Sequence, residues 1–398
     1  MRPCFFAPTS FAHAWLCLGV LLGAALVGCG DTHSRADDAG PGTMPALPDA
    51  AAPMAPDAAA APTDCIEPLE IARGRDVHAA GIAWNEDRFL VAWVERPETG
   101  ERGMAQVLDA RGAPLGPPRE VPSIWGGALA VGRGFVIFVE AGVQRLSMDG
   151  ELIGGPIPIG ETFHGASDAA YVEGSRLLVR ASSFGGEQVL AQLDVIERDP
   201  SVEIVREVPS EWMTLGVAAD RTLELRRHAP FVLREVPLGA GAEPPSHWES
   251  TWPEQVAPLS AAYDATRGTW EVMVERHIVE EGFGSYSAPG AILIDGSGML
   301  ATRQPVEGRP LRTVTGTVAR TDAQTALAYW DFHSDALLWV LDHDARAPAM
   351  PLPLDGLATT PVIEVDRAHG GFAVLASRGE PHTPHQVVEL RCGLGAAR

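Results

Sequence analysis

Gly81-Ile-Ala-Trp-Asn-Glu-Asp-Arg-Phe-Leu-Val-Ala-Trp-Val-Glu95 reads as two short strands around a tight turn. Ile82 to Trp84 and Phe89 to Trp93 are rich in β-branched and aromatic residues, and Asn85 to Arg88 between them is polar. Gly103 to Leu108 adds a third strand. Asp109-Ala-Arg-Gly112 adds a second turn, where glycine supplies a positive φ at little cost. Looser copies follow. The second uses 128–131, 135–140 and 143–148, with a turn at Asp149-Gly150; the third uses 169–172, 177–179 and 188–193. The fourth, 216–225, is the most degraded. The fifth spans 262–275 and 291–300, the sixth 318–330 and 337–342, and the seventh 362–375 and 387–390.

The first apolar residue after each first turn gives a ruler: Phe89, Phe135, Leu177, Leu223, Trp270, Leu327 and Phe372. Its mean step is about 47 residues, within the period of a β-propeller blade built from about four short strands. The pattern resembles the degenerate propeller repeats of secreted bacterial proteins: an alanine-aromatic strand, a polar turn, and a second strand ending near Trp-x-Glu. The resemblance covers nearly all of 65–392. It implies an all-β, seven-bladed β-propeller. The loose spacing also fits six or eight blades, and an irregular pair of β-sandwiches is the other architecture considered. The fold alone does not imply an activity, because propellers host many unrelated ones.

Phase implies how the ring closes. Cys65 to Ile71 is a lone strand before the first full repeat, and Val387 to Cys392 is a third strand with no fourth after it. The N-terminal strand is therefore expected to complete the last blade, with Cys65 beside Cys392 in a disulfide across the seam.

The N-terminus carries a different signal. Arg2 precedes an apolar run from about Phe11 to Val27, which ends in Leu26-Val27-Gly28-Cys29. The run is shorter than the ~20 residues a spanning helix needs and has the form of a cleaved export signal. Leu-Val-Gly-Cys resembles the lipobox of bacterial lipoproteins. The resemblance implies removal of 1–28 and diacylation of Cys29 with palmitate-type chains. Cys4 and Cys17 would leave with the signal, so that only Cys65 and Cys392 remain, in a compartment where disulfides persist. Gly30 stands where an inner-membrane retention signal has Asp, which points to the outer membrane of the cell envelope. Residues 29–64, rich in Ala, Pro and Asp, read as a disordered, semi-stiff linker before a propeller domain at 65–398.

Composition narrows the function. The 398 residues carry a formal net charge of −22, and every basic residue is Arg. The absence of Lys excludes Schiff-base chemistry and a P-loop lysine. The acidic balance argues against nucleic acid, whose affinity rests on basic side chains. No Gly-x-Ser-x-Gly occurs, and Asp264 to Trp270 lacks the leading Ser and the spacing of a sialidase Asp-box. His382-Thr-Pro-His385 and Asp342-His-Asp344 have ligand-type residues without the rigid frame that makes such spacing specific. No cofactor, metal site or catalytic residue is assigned.

The connections between second and third strands, and those between blades, read as longer than the rest, so their face is expected to work. Candidate binding residues there are Phe283 and Tyr286, in a loop read over 277–289, and Trp248 and Trp252, in a loop read between blades four and five. A second set, His78, Trp125, His164 and Trp212, lies roughly eleven residues before the rulers, where innermost strands should begin around the channel mouth. The expected protein is a membrane-anchored, non-catalytic lipoprotein binding a protein or glycan. The alternative is a propeller hydrolase or lyase acting on extracellular polysaccharide. An assembly role in an envelope complex would instead expose one large apolar patch.

Overall fold

The computed structural model describes residues 65–395, except 98–99, 141, 161–162, 174–175, 184–186, 196–199, 239–245, 254–255, 281–283, 304–314, 322, 331–335, 343–351, 355–360 and 380–384. The expected linker and signal at 1–64 lie outside the described residues.

The chain enters through β1 (Leu69–Gly74). Blade 1 is β2 (Val77–Asn85), β3 (Arg88–Glu95), β4 (Arg102–Asp109) and β5 (Arg119–Val121). Blade 2 is β6 (Ile124–Ala130), β7 (Gly134–Val139), β8 (Gly142–Ser147) and β9 (Leu152–Ile157). Blade 3 is β10 (Phe163–Glu173), β11 (Arg176–Ser183), β12 (Gln188–Asp194) and β13 (Val202–Val208). Blade 4 is β14 (Trp212–Val217), β15 (Arg221–Arg226), β16 (Val232–Pro237) and β17 (Trp248–Thr251). Blade 5 is β18 (Val256–Asp264), β19 (Thr269–Glu280), β20 (Gly284–Ile294) and β21 (Leu300–Arg303). Blade 6 is β22 (Thr315–Arg320), β23 (Gln324–Trp330), β24 (Ala336–Asp342) and β25 (Leu352–Pro353). Blade 7 is β26 (Val362–Val365), β27 (Phe372–Arg378) and β28 (Gln386–Leu394), completed by β1. Each blade is a four-stranded sheet, and each first strand packs on the first strand of the next blade, with β26 closing on β2.

The register explains the ruler. Phe89 lies opposite Trp84, Phe135 opposite Ala130, Leu177 opposite Val172 and Leu223 opposite Gly216. Trp270 faces Tyr263, Leu327 faces Val318 and Phe372 faces Val365. All seven ruler residues are buried. Each sits just after the first turn, where a strand buried on both faces needs a large side chain to fill the widening gap to the next blade. Aromatic pairs add contact at two of these points, Trp84 with Phe89 at 4.5 Å and Tyr263 with Trp270 at 4.8 Å between ring centres.

The core is divided among the interfaces. Phe89, Trp93 and Leu390 join blades 7 and 1; Leu90, Ala105 and Ile137 join blades 1 and 2; Phe138, Leu177 and Val179 join blades 2 and 3. Leu190, Val208 and Trp212 serve blades 3 and 4; Leu223, Trp252 and Trp270 serve blades 4 and 5. Met273, Leu327 and Trp339 serve blades 5 and 6, and Ala328, Leu338 and Phe372 serve blades 6 and 7. At about 25 cal/mol per Å² of apolar area, burial of each Val, Leu, Ile, Phe or Met among them contributes roughly 1.5–3 kcal/mol. Near the axis there is no room for them. A Cβ on Gly81 would stand 2.6 Å from the Ala128 backbone of blade 2, and one on Gly216 would stand 2.6 Å from the Trp270 ring of blade 5. Both glycines follow a register shift in their first strands, between Ala79 and Gly81 and between Thr214 and Gly216.

Closure follows the expected route. β1 pairs with β28, with Leu69 opposite Leu390 and Gly74 opposite Gln386. Cys65 lies in the turn before β1 rather than within it, and its carbonyl accepts the Cys392 N–H at 2.7 Å. The Cys65 N–H donates to the Arg111 carbonyl at 3.0 Å, so the turn also grips blade 1. Cys65 and Cys392, both buried, form a disulfide across 327 residues of sequence, with Cα atoms 5.2 Å apart. Cys65→Ser or Cys392→Ser should lower unfolding free energy by about 2–5 kcal/mol, read as a shift in denaturant midpoint. Reduction of the native chain should reproduce that shift and leave the double substitution unmoved.

Candidate functional site

The short turns within each blade and the Asp-x-x-Gly turns share one end of the ring. At the latter, Gly112 donates to the Asp109 carbonyl at 3.0 Å and Gly298 to that of Asp295 at 2.9 Å. The other end carries the starts of the first strands. The contrast in connection length between the two ends is smaller than the sequence suggests, because 110–118 and 238–247 on the Asp-x-x-Gly side are long. Fourth strands such as β5 and β17 are short and begin only after these connections.

His78 and Trp125 are second residues of β2 and β6, His164 is second in β10, and Trp212 opens β14. All four therefore begin first strands at the expected end. Their surroundings differ. Trp212 is buried; Arg234 lies 3.6 Å and Arg226 5.1 Å from its ring centre, and its indole N–H donates to Glu211 at 2.9 Å. It is a packing residue of blades 3 and 4. Trp125 is half-buried, and the side chain of His164 lies outside the described residues. His78 is half-buried, with Nε2 3.3 Å from Asp76 Oδ1.

The two loop readings need correction. Trp248 begins β17, the fourth strand of blade 4, and Trp252 is buried, with Nε1 donating to the Val256 carbonyl at 2.7 Å. A ring so enclosed has no face to offer a sugar. Residues 277–280 and 284–289 form a β-ribbon where a loop was expected: His277 pairs with Ser287, Ile278 with Tyr286 and Glu280 with Gly284, beyond Val256 opposite Arg276 where β18 begins. Phe283 and the Tyr286 side chain lie outside the described residues. So do His382, His343 and Asp344 of the two weak metal candidates.

The residues that sequence reasoning missed lie beside His78. A cleft of about 470 Å³ is lined by Arg75, Asp76, Arg96 and Pro97. Arg75 and Asp76 form the whole connection from β1 to β2, and Arg96 and Pro97 follow β3. Asp76 holds φ at +59°, unusual for a residue with a side chain, and its carbonyl accepts the Arg96 N–H at 3.2 Å. Arg96 pairs with Glu101 at 2.8 Å, and Glu101 accepts from Ser123 on the next connection at 2.9 Å. The only sequence signal was position: two polar residues between the closing strand and the first blade.

Three further groups centre on buried carboxylates. Glu224, fully buried, takes Arg206 of blade 3 at 2.8 Å and Arg234 at 2.9 Å, and accepts from Thr222 at 3.2 Å. Burial pulls the Arg206 guanidinium below its usual value, against the charge of Glu224. Arg320 of blade 6 reaches Asp264 at 2.5 Å and Glu271 at 3.4 Å of blade 5, and Thr325 donates to Glu271 at 2.5 Å. Burial alone would raise the Asp264 carboxyl, but hydrogen bonds from Thr266 and the charge of Arg320 hold it below the usual range. Glu235 accepts the Trp270 indole N–H at 2.7 Å and pairs with Arg221 at 3.2 Å and His247 at 3.0 Å. Each set ties two strands or blades together, and its carboxylates are covered by them.

Glu364, in the first strand of blade 7, is partly buried, and its Oε1 accepts the Val365 N–H at 2.7 Å. Burial raises its carboxyl from 4.5 to about 7, despite that bond and the charge of Arg367.

The sequence matches no protein-family model and no curated protein. Solved structures share the fold. A polysaccharide lyase, Uly1, is 8% identical with a TM-score of 0.50, over 79% of this chain and 90% of that one. The β-propeller domain of the Trilobed protease from Pyrococcus furiosus, which has an open velcro topology, is 9% identical with a TM-score of 0.47, over 80% and 94%. A puromycin hydrolase is 15% identical with a TM-score of 0.49, over 83% and 54%. The seven four-stranded sheets themselves define the class, a seven-bladed β-propeller, here closed by its N-terminal strand and a disulfide.

Two outcomes follow from the charges. Glu224→Ala leaves two guanidinium groups facing a cavity and should cost about 3–5 kcal/mol in a denaturant titration. For Glu364, the folded value lies above the unfolded one, so its stabilising effect is complete below about pH 4.5 and lost as pH rises through about 7. Glu364→Gln should therefore stabilise the chain by about 1–3 kcal/mol at alkaline pH and have little effect under acid conditions, by thermal melting across pH.

Proposed function

We propose that the chain is an exported lipoprotein, acylated on Cys29, whose 30–64 linker carries a non-catalytic propeller that binds a protein or glycan. The proposed binding face is the end where the first strands begin. The Leu26-Val27-Gly28-Cys29 lipobox supports the anchor. A disulfide between the two cysteines of the propeller agrees with an oxidising destination. The observation that carries the binding reading is the cleft of Arg75, Asp76, Arg96 and Pro97 beside His78. Arg75 and Arg96 line it beside Asp76, with Arg96 also paired to Glu101, and an anionic group such as a uronate or an acidic side chain would exchange with these carboxylates. Glu224, Glu271 and Asp264, which otherwise resemble acid–base groups, are buried between blades, which favours binding over catalysis.

Two measurements test this. Intact mass of the chain from membranes should show a diacyl or triacyl form beginning at Cys29; a full-length unlipidated chain defeats the anchor. A labelled chain tested on neutral and acidic glycans should prefer acidic ones, with Arg75→Ala and Arg96→Ala each weakening binding about tenfold. Release of unsaturated or reducing sugar ends would instead establish the lyase or hydrolase alternative.

A further inference from the structure

The seam of the ring holds more than a disulfide. Cys65, Cys392 and His369 place their sulfur and ring-nitrogen atoms within 4.8 Å of one another. Both cysteines are buried, and the His369 side chain is 15% exposed. His369 sits in the turn from β26 to β27, and its Nδ1 lies 2.9 Å from Asp366 Oδ2. Asp366 is itself held: its Oδ1 accepts the Ala368 and His369 N–H groups at 3.1 Å, and its Oδ2 accepts the Gly393 N–H, next to Cys392, at 2.8 Å. The imidazole is thus oriented beside the sulfurs by a buried carboxylate anchored to the cysteine-bearing strand.

We infer that, when Cys65 and Cys392 are reduced, this cluster binds a zinc ion through two thiolates and the His369 imidazole, so that the ring has two alternative clasps. Two thiolates and an imidazole are a ligand set for tetrahedral Zn²⁺, with water in the fourth position. Coordination through Nε2 while Nδ1 donates to Asp366 is the carboxylate–histidine–metal arrangement that fixes ring orientation and raises ligand basicity. The geometry is within reach. Thiolates about 2.3 Å from a tetrahedral ion stand roughly 3.8 Å apart. With Cα atoms 5.2 Å apart, rotation of the two side chains reaches that spacing.

The exchange balances. A small-molecule disulfide oxidises the zinc dithiolate: the Cys65–Cys392 bond forms, the oxidant's sulfur–sulfur bond breaks, its two sulfurs leave as thiolates, and Zn²⁺ passes to water. A dithiol reductant reverses each change. This clasp is independent of the ligand bound at the cleft, so either proposal can fail alone.

The test uses the full chain carrying Cys4→Ser, Cys17→Ser and Cys29→Ser, which leaves one cysteine pair. Reduced and titrated with Co²⁺ as a spectroscopic stand-in, it should bind one ion with thiolate-to-cobalt charge-transfer and tetrahedral d–d bands. Zn²⁺ should displace the cobalt. The oxidised chain should show no such bands, and a disulfide oxidant should discharge the metal. His369→Ala should weaken binding at least tenfold and change the d–d bands, and Asp366→Asn should weaken it less. Zn²⁺ should raise the melting temperature of the reduced chain and leave the oxidised chain unchanged, which keeps the test valid if reduction loosens the ring. Absence of binding by the reduced chain, or binding and spectra unaltered by His369→Ala, would overturn the inference.

Discussion

A ring built from one open chain must be stitched where it begins and ends, and the rest of this structure depends on that stitch. Every blade is held by two neighbours, so an unpaired end would leave blade 7 with an exposed edge and its apolar face against blade 1 poorly held. β1 supplies the missing strand through backbone hydrogen bonds to β28. The disulfide then confines the unfolded chain across 327 residues. The turn bearing Cys65 also binds the Arg111 carbonyl of blade 1, so one short segment touches both sides of the seam.

Away from the seam, the interfaces differ in how they are held. Between blades 1 and 2 and between blades 2 and 3, contact is dominated by aliphatic and aromatic side chains. Between blades 3 and 4, and between blades 5 and 6, the apolar sets among the described residues are smaller. Those two carry Arg206 with Glu224, and Arg320 with Asp264 and Glu271. A buried ion pair adds little net stability over a hydrophobic one, but it penalises every misaligned arrangement by leaving a charge uncovered. Each of these pairs joins one particular pair of neighbouring blades. Tyr329 serves the same interface more simply, donating to the Gly290 carbonyl at 2.6 Å.

The cleft follows from the same stitch. Because β1 belongs to blade 7 and β2 to blade 1, Arg75 and Asp76 must cross from the outermost strand to the innermost in two residues. The positive φ of Asp76 is part of that crossing. It brings the pair to Arg96, which follows β3, and next to His78. His78 was legible as a residue entering a first strand. Its neighbours were not, since Arg96 lies about twenty residues away along the chain and meets Asp76 only once blade 1 has folded.

The amino-acid sequence by itself determined the strand–turn–strand period and the joining of the two ends, and it pointed to seven blades while leaving six or eight open. Those rest on local alternation, turn chemistry and the phase of the repeat, all of which are written within a few dozen residues. Tertiary structure alone decided which aromatic residues are buried. Trp212 and Trp252 begin or follow strands much as His78 and Trp125 do, yet they are enclosed by Arg234 and by the blade 4–5 core. It also decided that 277–280 pair with 284–287 and that Trp248 begins a strand. It placed Asp366 and His369 beside the clasp, far along the chain from Cys65. An aromatic or charged residue has the same local signature whether it meets solvent, a ligand or the neighbouring blade, and only the packing of blade on blade distinguishes them.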